Sequence, residues 1–296
     1  MSVPQRIAIT GASGLIGSAL VGHLKSEGHT VQRLVRRATV APDEIQWDPK
    51  TGYVDIEALR GVDAVIHLAG VGVGDKRWTK RYKSEILNSR LLGTTAIANA
   101  FAEVKPQVFI SASAIGWYGE TGNRAVSESD RPGDDFLAAV CKQWEAAADL
   151  ATDTRVVKIR TGLVLDSTGG ALGKMLPLFK FGVGGKLGNG KQWWSWITLH
   201  DLVEAICFLL EKPVSGAVNL TAPNPATNQE FTSALARALK RPALIPVPGF
   251  ALKIALGGFS SEVLGSKKVL PTALLDAGFN FDYPHLAPAL SALLAE

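Results

Sequence analysis

Three glycines stand at intervals of three in Thr10-Gly11-Ala12-Ser13-Gly14-Leu15-Ile16-Gly17, between a short β-branched run, Arg6–Thr10, and a segment of helical period, Leu15–Ser26. Each glycine has its own physical reason to be there. Gly11 permits a tight turn, Gly14 lets a pyrophosphate approach the backbone, and Gly17 lets the helix close on its strand. The first helical turn, with Ser13, Leu15 and Ile16, presents amides to phosphate oxygens. Glycines can also end a strand with no further role, but strand, loop and helix in this order predict a dinucleotide site at Gly11, Ser13, Gly14, Leu15, Ile16 and Gly17.

The rest of the chain supports that frame. Apolar runs at Thr30–Val35, Glu44–Trp47, Ala64–Leu68, Gln107–Ser111 and Arg155–Val164 alternate with helical periods at Tyr82–Phe101 and Phe136–Leu150. Such alternation predicts βαβ units and a doubly wound parallel sheet, an α/β fold. After Thr168 the texture changes to glycine-rich turns at 182–190 and proline-punctuated segments beyond Pro223, which predicts a smaller second lobe. The helical period at Asp201–Leu210 and the run Ala217–Thr221 read as a return to the sheet. The expected division is therefore interleaved: residues 1–167 with 198–221 in the dinucleotide-binding domain, and residues 168–197 with 222–296 in a C-terminal α/β lobe that binds substrate. The alanine- and leucine-rich stretch Leu286–Ala295 reads as a packed helix.

Composition excludes other classes. With 47% apolar and 20% charged residues the chain of 296 residues can bury a large core, and it is neither disordered nor a coiled coil. A net charge of +4 without a like-charge run implies no nucleic-acid groove. Cys141 and Cys207 form no disulfide or zinc spacing, so the reading is a reducing cytoplasm and no metal. No signal-length or membrane-spanning apolar stretch occurs, and the expected partners are a small-molecule substrate, no nucleic acid and no membrane, with a homodimer left open.

Cofactor choice turns on the end of the second strand. An NAD site places a carboxylate there, whereas this chain reads Val31-Gln-Arg-Leu-Val-Arg-Arg37. Arg36 and Arg37 suit a 2′-phosphate and hence NADP, the alternative being a solvated pair.

Further motifs carry a resemblance. His67-Leu-Ala-Gly70, Ser111-Ala-Ser-Ala-Ile-Gly-Trp-Tyr-Gly119, Trp47-Asp-Pro49, Arg77-Trp-Thr79, Ser89-Arg90, Cys141-Lys-Gln-Trp-Glu145, the loop Gly184–Gly190 and Trp196-Ile-Thr-Leu-His-Asp201 stand together with the glycine loop. In this combination the chain resembles an extended short-chain dehydrogenase/reductase of the atypical "epimerase family", over nearly its whole length. The resemblance implies a Rossmann-type domain binding NADP(H), with Leu68, Ala69 and Gly70 running beside the cofactor ribose. It also implies that Arg90 reaches the cofactor phosphates, unless it pairs with Glu85. His67 reads more simply as a core residue than as a catalyst.

By the same resemblance Ser113 donates a hydrogen bond to the substrate oxygen that gains or loses hydride. Relatives add a tyrosine and, four residues on, a lysine that lowers its pKa. Here Leu137 and Cys141 occupy those positions, and Lys142 lies about 100° further round the helix. Tyr118 is the nearest phenol, a proton donor or a structural residue. Trp193, Trp194 and Trp196 line a pocket or a lobe interface; Asp201 caps a helix or bridges with His200; Arg160 faces the cleft or makes a surface ion pair. The expected function is an NADP(H)-dependent oxidoreductase or epimerase acting on a small polar carbonyl, alcohol or nucleotide sugar. Its rival is a non-catalytic NADP(H)-binding sensor or assembly factor, which the missing tyrosine–lysine pair supports.

Overall fold

The computed structural model describes residues 3–243 and 245–295. Its centre is an eight-stranded sheet made of β1 (Arg6–Thr10), β2 (Thr30–Val35), β3 (Glu44–Asp48), β4 (Tyr53–Val54), β5 (Ala64–His67), β6 (Val108–Ala114), β7 (Arg155–Thr161) and β8 (Gly216–Leu220). The spatial order is β8-β7-β6-β5-β1-β2-β3-β4, parallel throughout except for the β3–β4 hairpin at one edge. The chain winds outward from β1 in one direction and from β5 in the other. The crevice at their carboxyl ends is the switch point where open α/β sheets bind ligands.

Both faces are covered because the strands carry apolar residues on both. Ile7 and Ile9 point into one core with Ile66 and Ile110, roofed by α1 (Leu15–Ser26) and by helix Leu199–Glu211. Ala8, Val65 and Phe109, one residue out of phase, point into the opposite core beneath α2 (Lys80–Val104). The expected doubly wound sheet is thus the observed one.

The run at Arg155–Val164 is two strands rather than one. β7 ends at Thr161, and Leu163–Leu165 pairs instead with Trp196–Thr198. Gly162 makes the change of partner feasible, since a Cβ there would lie 2.6 Å from the Ser195 carbonyl oxygen. Beyond it a second core gathers Leu172, Leu176 and Phe179 with Trp196, Phe231 and Leu290. Leu274 and Phe279, from the last quarter of the chain, return to the core of the large sheet.

Candidate dinucleotide groove and the buried network beside it

The loop after β1 is held from below. Gly11 has φ +71°, and a Cβ on it would meet the Leu68 carbonyl carbon at 2.9 Å. Gly17 is tighter still, since its Cβ would sit 2.2 Å from the Gly11 carbonyl oxygen. Gly14 differs: it has an ordinary φ of −78°, the nearest atom to its Cβ position is 3.4 Å away, and it is exposed. Two glycines are therefore closed by the protein's own backbone and one faces outward. Gly14 is also the N-cap of α1, and no side chain caps that helix, so its first-turn amides of Leu15, Ile16 and Gly17 point to the same open side beside exposed Ser13.

Thr10, fully buried at the end of β1, ties this loop to the next one. Its Oγ1 accepts the N–H of Leu68 (3.1 Å) and Ala69 (3.2 Å) and lies 2.7 Å from His67 Nδ1. With both lone pairs used, the hydroxyl proton goes to Nδ1 and the imidazole proton belongs on Nε2. Burial pushes the His67 pKa down to about 3, and its ring packs edge-on against Trp47. His67 is a neutral clamp in the core.

The arginines at the end of β2 separate. Arg37 donates to both oxygens of Glu44 at 2.8 and 2.6 Å, and the Val40 N–H donates to the same carboxylate at 2.8 Å. The Arg37 guanidinium, then the Val40 amide, hold the Glu44 carboxyl down at about 2. Glu44 lies on β3 opposite Arg33, so the carboxylate absent from β2 is supplied by its neighbour. Arg37 is thereby committed, whereas exposed Arg36 makes no ion pair or side-chain hydrogen bond among the described residues.

Arg90, on α2, lies under the loop that follows Ala69. Its Nη1 donates to the Val71 (3.0 Å) and Ile86 (3.1 Å) carbonyls, its guanidinium sits 4.9 Å from the Trp144 ring, and a Cβ on Gly70 would be 3.6 Å away. It does not pair with Glu85, which reaches Lys76 instead. Desolvation lowers its pKa, and no carboxylate among the described residues compensates it within ion-pair distance. The charge is held only by those carbonyls and the Trp144 ring, beside Gly70.

Helix α3 (Phe136–Ala148), capped by Asp135, presents Leu137, Cys141 and Glu145 as a buried stripe to the end of β6. Leu137 and Cys141 fill the space around Gly116, and burial pushes the Cys141 thiol up to about 12. Glu145 is the residue that sequence reasoning missed. Ser113 Oγ donates to its Oε1 at 2.7 Å, and Arg160 grips the same carboxylate with Nε at 2.8 Å and Nη2 at 2.9 Å. Arg160 Nη1 also donates to the Tyr118 hydroxyl (3.0 Å), which donates to Asn219 Oδ1 (2.7 Å). The Arg160 ion pair is thus not a surface one: Arg160 is 3% exposed and stacks on Trp117 at 3.9 Å. Tyr118 is 3% exposed and its pKa is pushed up to about 12 by burial, so its phenol is a poor proton carrier at neutral pH.

At the second core Trp196 is fully buried and Trp194 packs on Phe231, while Trp193 donates to Asn123. Helix Leu199–Glu211 is capped by Thr198 rather than by Asp201. The buried Asp201 carboxylate accepts the N–H groups of Asp282 and Tyr283 instead, while His200 pairs with Asp282 at 2.6 Å.

Comparison with known proteins agrees with this fold. Residues 7–141 match the model of the NAD dependent epimerase/dehydratase family, and residues 247–293 match a domain of unknown function. The epimerase family protein ML0860 of Mycobacterium leprae is 44% identical, over 96% of this chain and 94% of its own. The chloroplastic SDR39U1 homolog of Arabidopsis thaliana is 39% identical, over 97% of this chain and 86% of its own. The crystal structure of human epimerase family protein SDR39U1 with NADPH superposes with a TM-score of 0.90 at 33% identity, covering 98% of this chain and 99% of that one. UDP-N-acetylglucosamine 4-epimerase from Bacillus cereus, at 20% identity and a TM-score of 0.76, shares the fold.

Proposed function

The chain belongs to the NAD-dependent epimerase/dehydratase family, as an atypical extended short-chain dehydrogenase/reductase, and from that premise we propose that it is an NADP(H)-dependent oxidoreductase acting on a small polar carbonyl or alcohol. The observation that carries the cofactor half is the asymmetry of the glycine loop. Gly11 and Gly17 are filled by the protein's own backbone, while Gly14 and the uncapped helix behind it stay open to a pyrophosphate. Arg36 would hold the 2′-phosphate, and Leu68, Ala69 and Gly70 would flank the ribose, with Arg90 behind them as counter-charge. The human relative crystallised with NADPH supports the choice of NADP over NAD. Bound there, the nicotinamide would supply or accept hydride.

The chain's own contribution to chemistry centres on Ser113. Its hydroxyl proton is turned toward Glu145 in this structure, so donation to the substrate oxygen, as the resemblance implies, would need the hydroxyl to rotate away from that carboxylate, which Arg160 continues to hold. Leu137 and Cys141 offer no proton, and Tyr118 is engaged at both ends, so water rather than a phenol would exchange the proton, and turnover would be slow. A second reading, a non-catalytic NADP(H) binder, is favoured by the closure of the Ser113–Glu145–Arg160–Tyr118–Asn219 network. The buried thiol of Cys141 and the free Cys207 support a cytoplasmic setting.

A screen of NADPH oxidation over carbonyl metabolites and nucleotide sugars separates the readings. The oxidoreductase reading expects a substrate for which Ser113→Ala lowers kcat by on the order of 10²-fold with NADPH affinity unchanged. NADPH binding without turnover on any compound supports the binder, and a Tyr118→Phe loss as large as that of Ser113→Ala would return the proton to the phenol.

A further inference from the structure

The second lobe carries a surface that none of this chemistry uses. Of the twelve large apolar side chains exposed among the described residues, six lie on it: Leu178, Phe181, Val183, Ile245, Phe250 and Ile254. Phe181 is 84% exposed, and Phe250 and Ile254 are each 70% exposed. The segments that carry them are adjacent in the fold. Helix Gly170–Lys180 ends at Phe181, and the segment after it runs beside Pro242 and residues 245–247: the Cβ position of Gly182 is 3.8 Å from Pro242, Val247 donates to the Lys186 carbonyl at 2.9 Å, and Gly188 donates to the Val247 carbonyl at 2.9 Å. Helix Gly249–Leu256 follows at once. Its sequence, GFALKIAL, is almost wholly apolar, yet none of its residues is buried. An apolar helix left uncovered at the surface marks a binding face.

Charge tells what covers it. Residues 167–200 and 231–261 contain eight lysines and arginines and no carboxylate, whereas the whole chain carries only +4. The cations stand among the apolar residues: Lys180 precedes Phe181, Lys240 and Arg241 precede Pro242, and Lys253 precedes Ile254. All four are exposed and lack an ion pair among the described residues, while Lys174 reaches Asp75 at 3.9 Å. A second copy of the chain is a poor occupant, because a two-fold contact would set this basic face against itself. Large apolar tips rimmed by lysine and arginine instead suit an interface where hydrocarbon lies beneath anionic headgroups.

We propose that this face of the second lobe docks the protein peripherally on an anionic lipid surface, with Phe181, Phe250 and Ile254 entering the headgroup boundary and Lys180, Lys240, Arg241 and Lys253 meeting the lipid charges. No helix among the described residues is long and apolar enough to cross a membrane, so the association is with one leaflet. This departs from the expectation of no membrane partner, and the vesicle experiment decides between them. It does not depend on what the dinucleotide site does.

The full chain is sedimented with phosphatidylcholine vesicles, with and without phosphatidylglycerol, at low and at high salt. Partitioning onto the phosphatidylglycerol vesicles, weakened by salt, is expected. Phe181→Ser with Phe250→Ser, and separately Lys240→Glu with Arg241→Glu, should each reduce it by about tenfold or more. Because all four side chains are exposed, both double variants should keep the wild-type circular dichroism and NADPH affinity. No vesicle binding overturns the proposal. So does binding that the serine variants leave intact, which would mark a purely electrostatic patch open to any soluble polyanion, and so does a dimer that the serine variants dissolve.

Discussion

Removing the charge from Glu145 should cost more stability than any surface change in this protein. In Glu145→Gln the side chain keeps its shape but loses its charge, and one of the two oxygens that Arg160 grips at 2.8 and 2.9 Å becomes an amide. Arg160 cannot leave for solvent. It is 3% exposed, its guanidinium lies 3.9 Å from the Trp117 ring, and it also donates to Tyr118 and to the Glu128 carbonyl. The variant therefore strands a buried cation, which costs about 3–5 kcal/mol when one partner of a buried pair is removed. That is a large share of the ~5–15 kcal/mol that holds a domain folded. Urea unfolding followed by tryptophan fluorescence reads the loss directly. The same argument says that the pair is not itself the source of stability: Glu145→Leu with Arg160→Met, which removes both charges, should be less destabilised than Glu145→Leu alone. A Glu145→Gln loss under about 1 kcal/mol, or a double variant as poor as the sum of its singles, would refute the reasoning.

Three further outcomes follow from other contacts. Gly17→Ala places a methyl 2.2 Å from the Gly11 carbonyl oxygen, so it should destabilise the fold by about 1–3 kcal/mol or more in the same urea assay, even without cofactor present. Arg36→Ala should weaken NADPH binding about ten- to a hundredfold and leave NADH binding nearly unchanged, whereas Arg37→Ala, already engaged by Glu44, should move the NADPH affinity less; calorimetric titration distinguishes them. His67 is held neutral down to about 3 in the fold, below the 6.5 of a free imidazole. The unfolded chain thus binds the extra proton first, and stability should fall as pH drops from about 6.5 toward 3; the urea midpoint of His67→Gln should show a flatter pH profile over that window.

The sheet was legible because each strand is a short apolar run with helices between, and the glycine loop because its neighbours on both sides are unambiguous. The positions of Leu137 and Cys141 on their helix were legible by the spacing of four, but not that Glu145, one turn further on, holds Ser113 and Arg160. What could not be read was pairing across distance. Glu44 neutralises Arg37 only because β3 runs parallel beside β2 in the observed register. Arg160 meets Glu145 because β7 lies next to β6, which sets Arg160 opposite Ser113. Asn219 joins the network from β8, on the far side of β7. The strand break at Gly162 is likewise a tertiary fact, since it depends on the backbone of Ser195 lying against that glycine. A buried arginine and glutamate fifteen residues apart are an ordinary surface pair on paper, and only the sheet order makes them a core one.

The central claim is that the groove at Gly14 holds NADP(H), and calorimetric titration of the wild-type protein and of Gly14→Val with NADPH tests it most directly. Gly14 has an ordinary φ, extended ψ and no atom nearer than 3.4 Å to its Cβ position, so valine is accommodated by the chain itself. The wild type should bind one NADPH per chain, and Gly14→Val, folded and with its stability lowered by no more than the ~1 kcal/mol that a poorer N-cap costs, should bind none that is detectable. A folded Gly14→Val protein that binds NADPH as the wild type does would contradict the account.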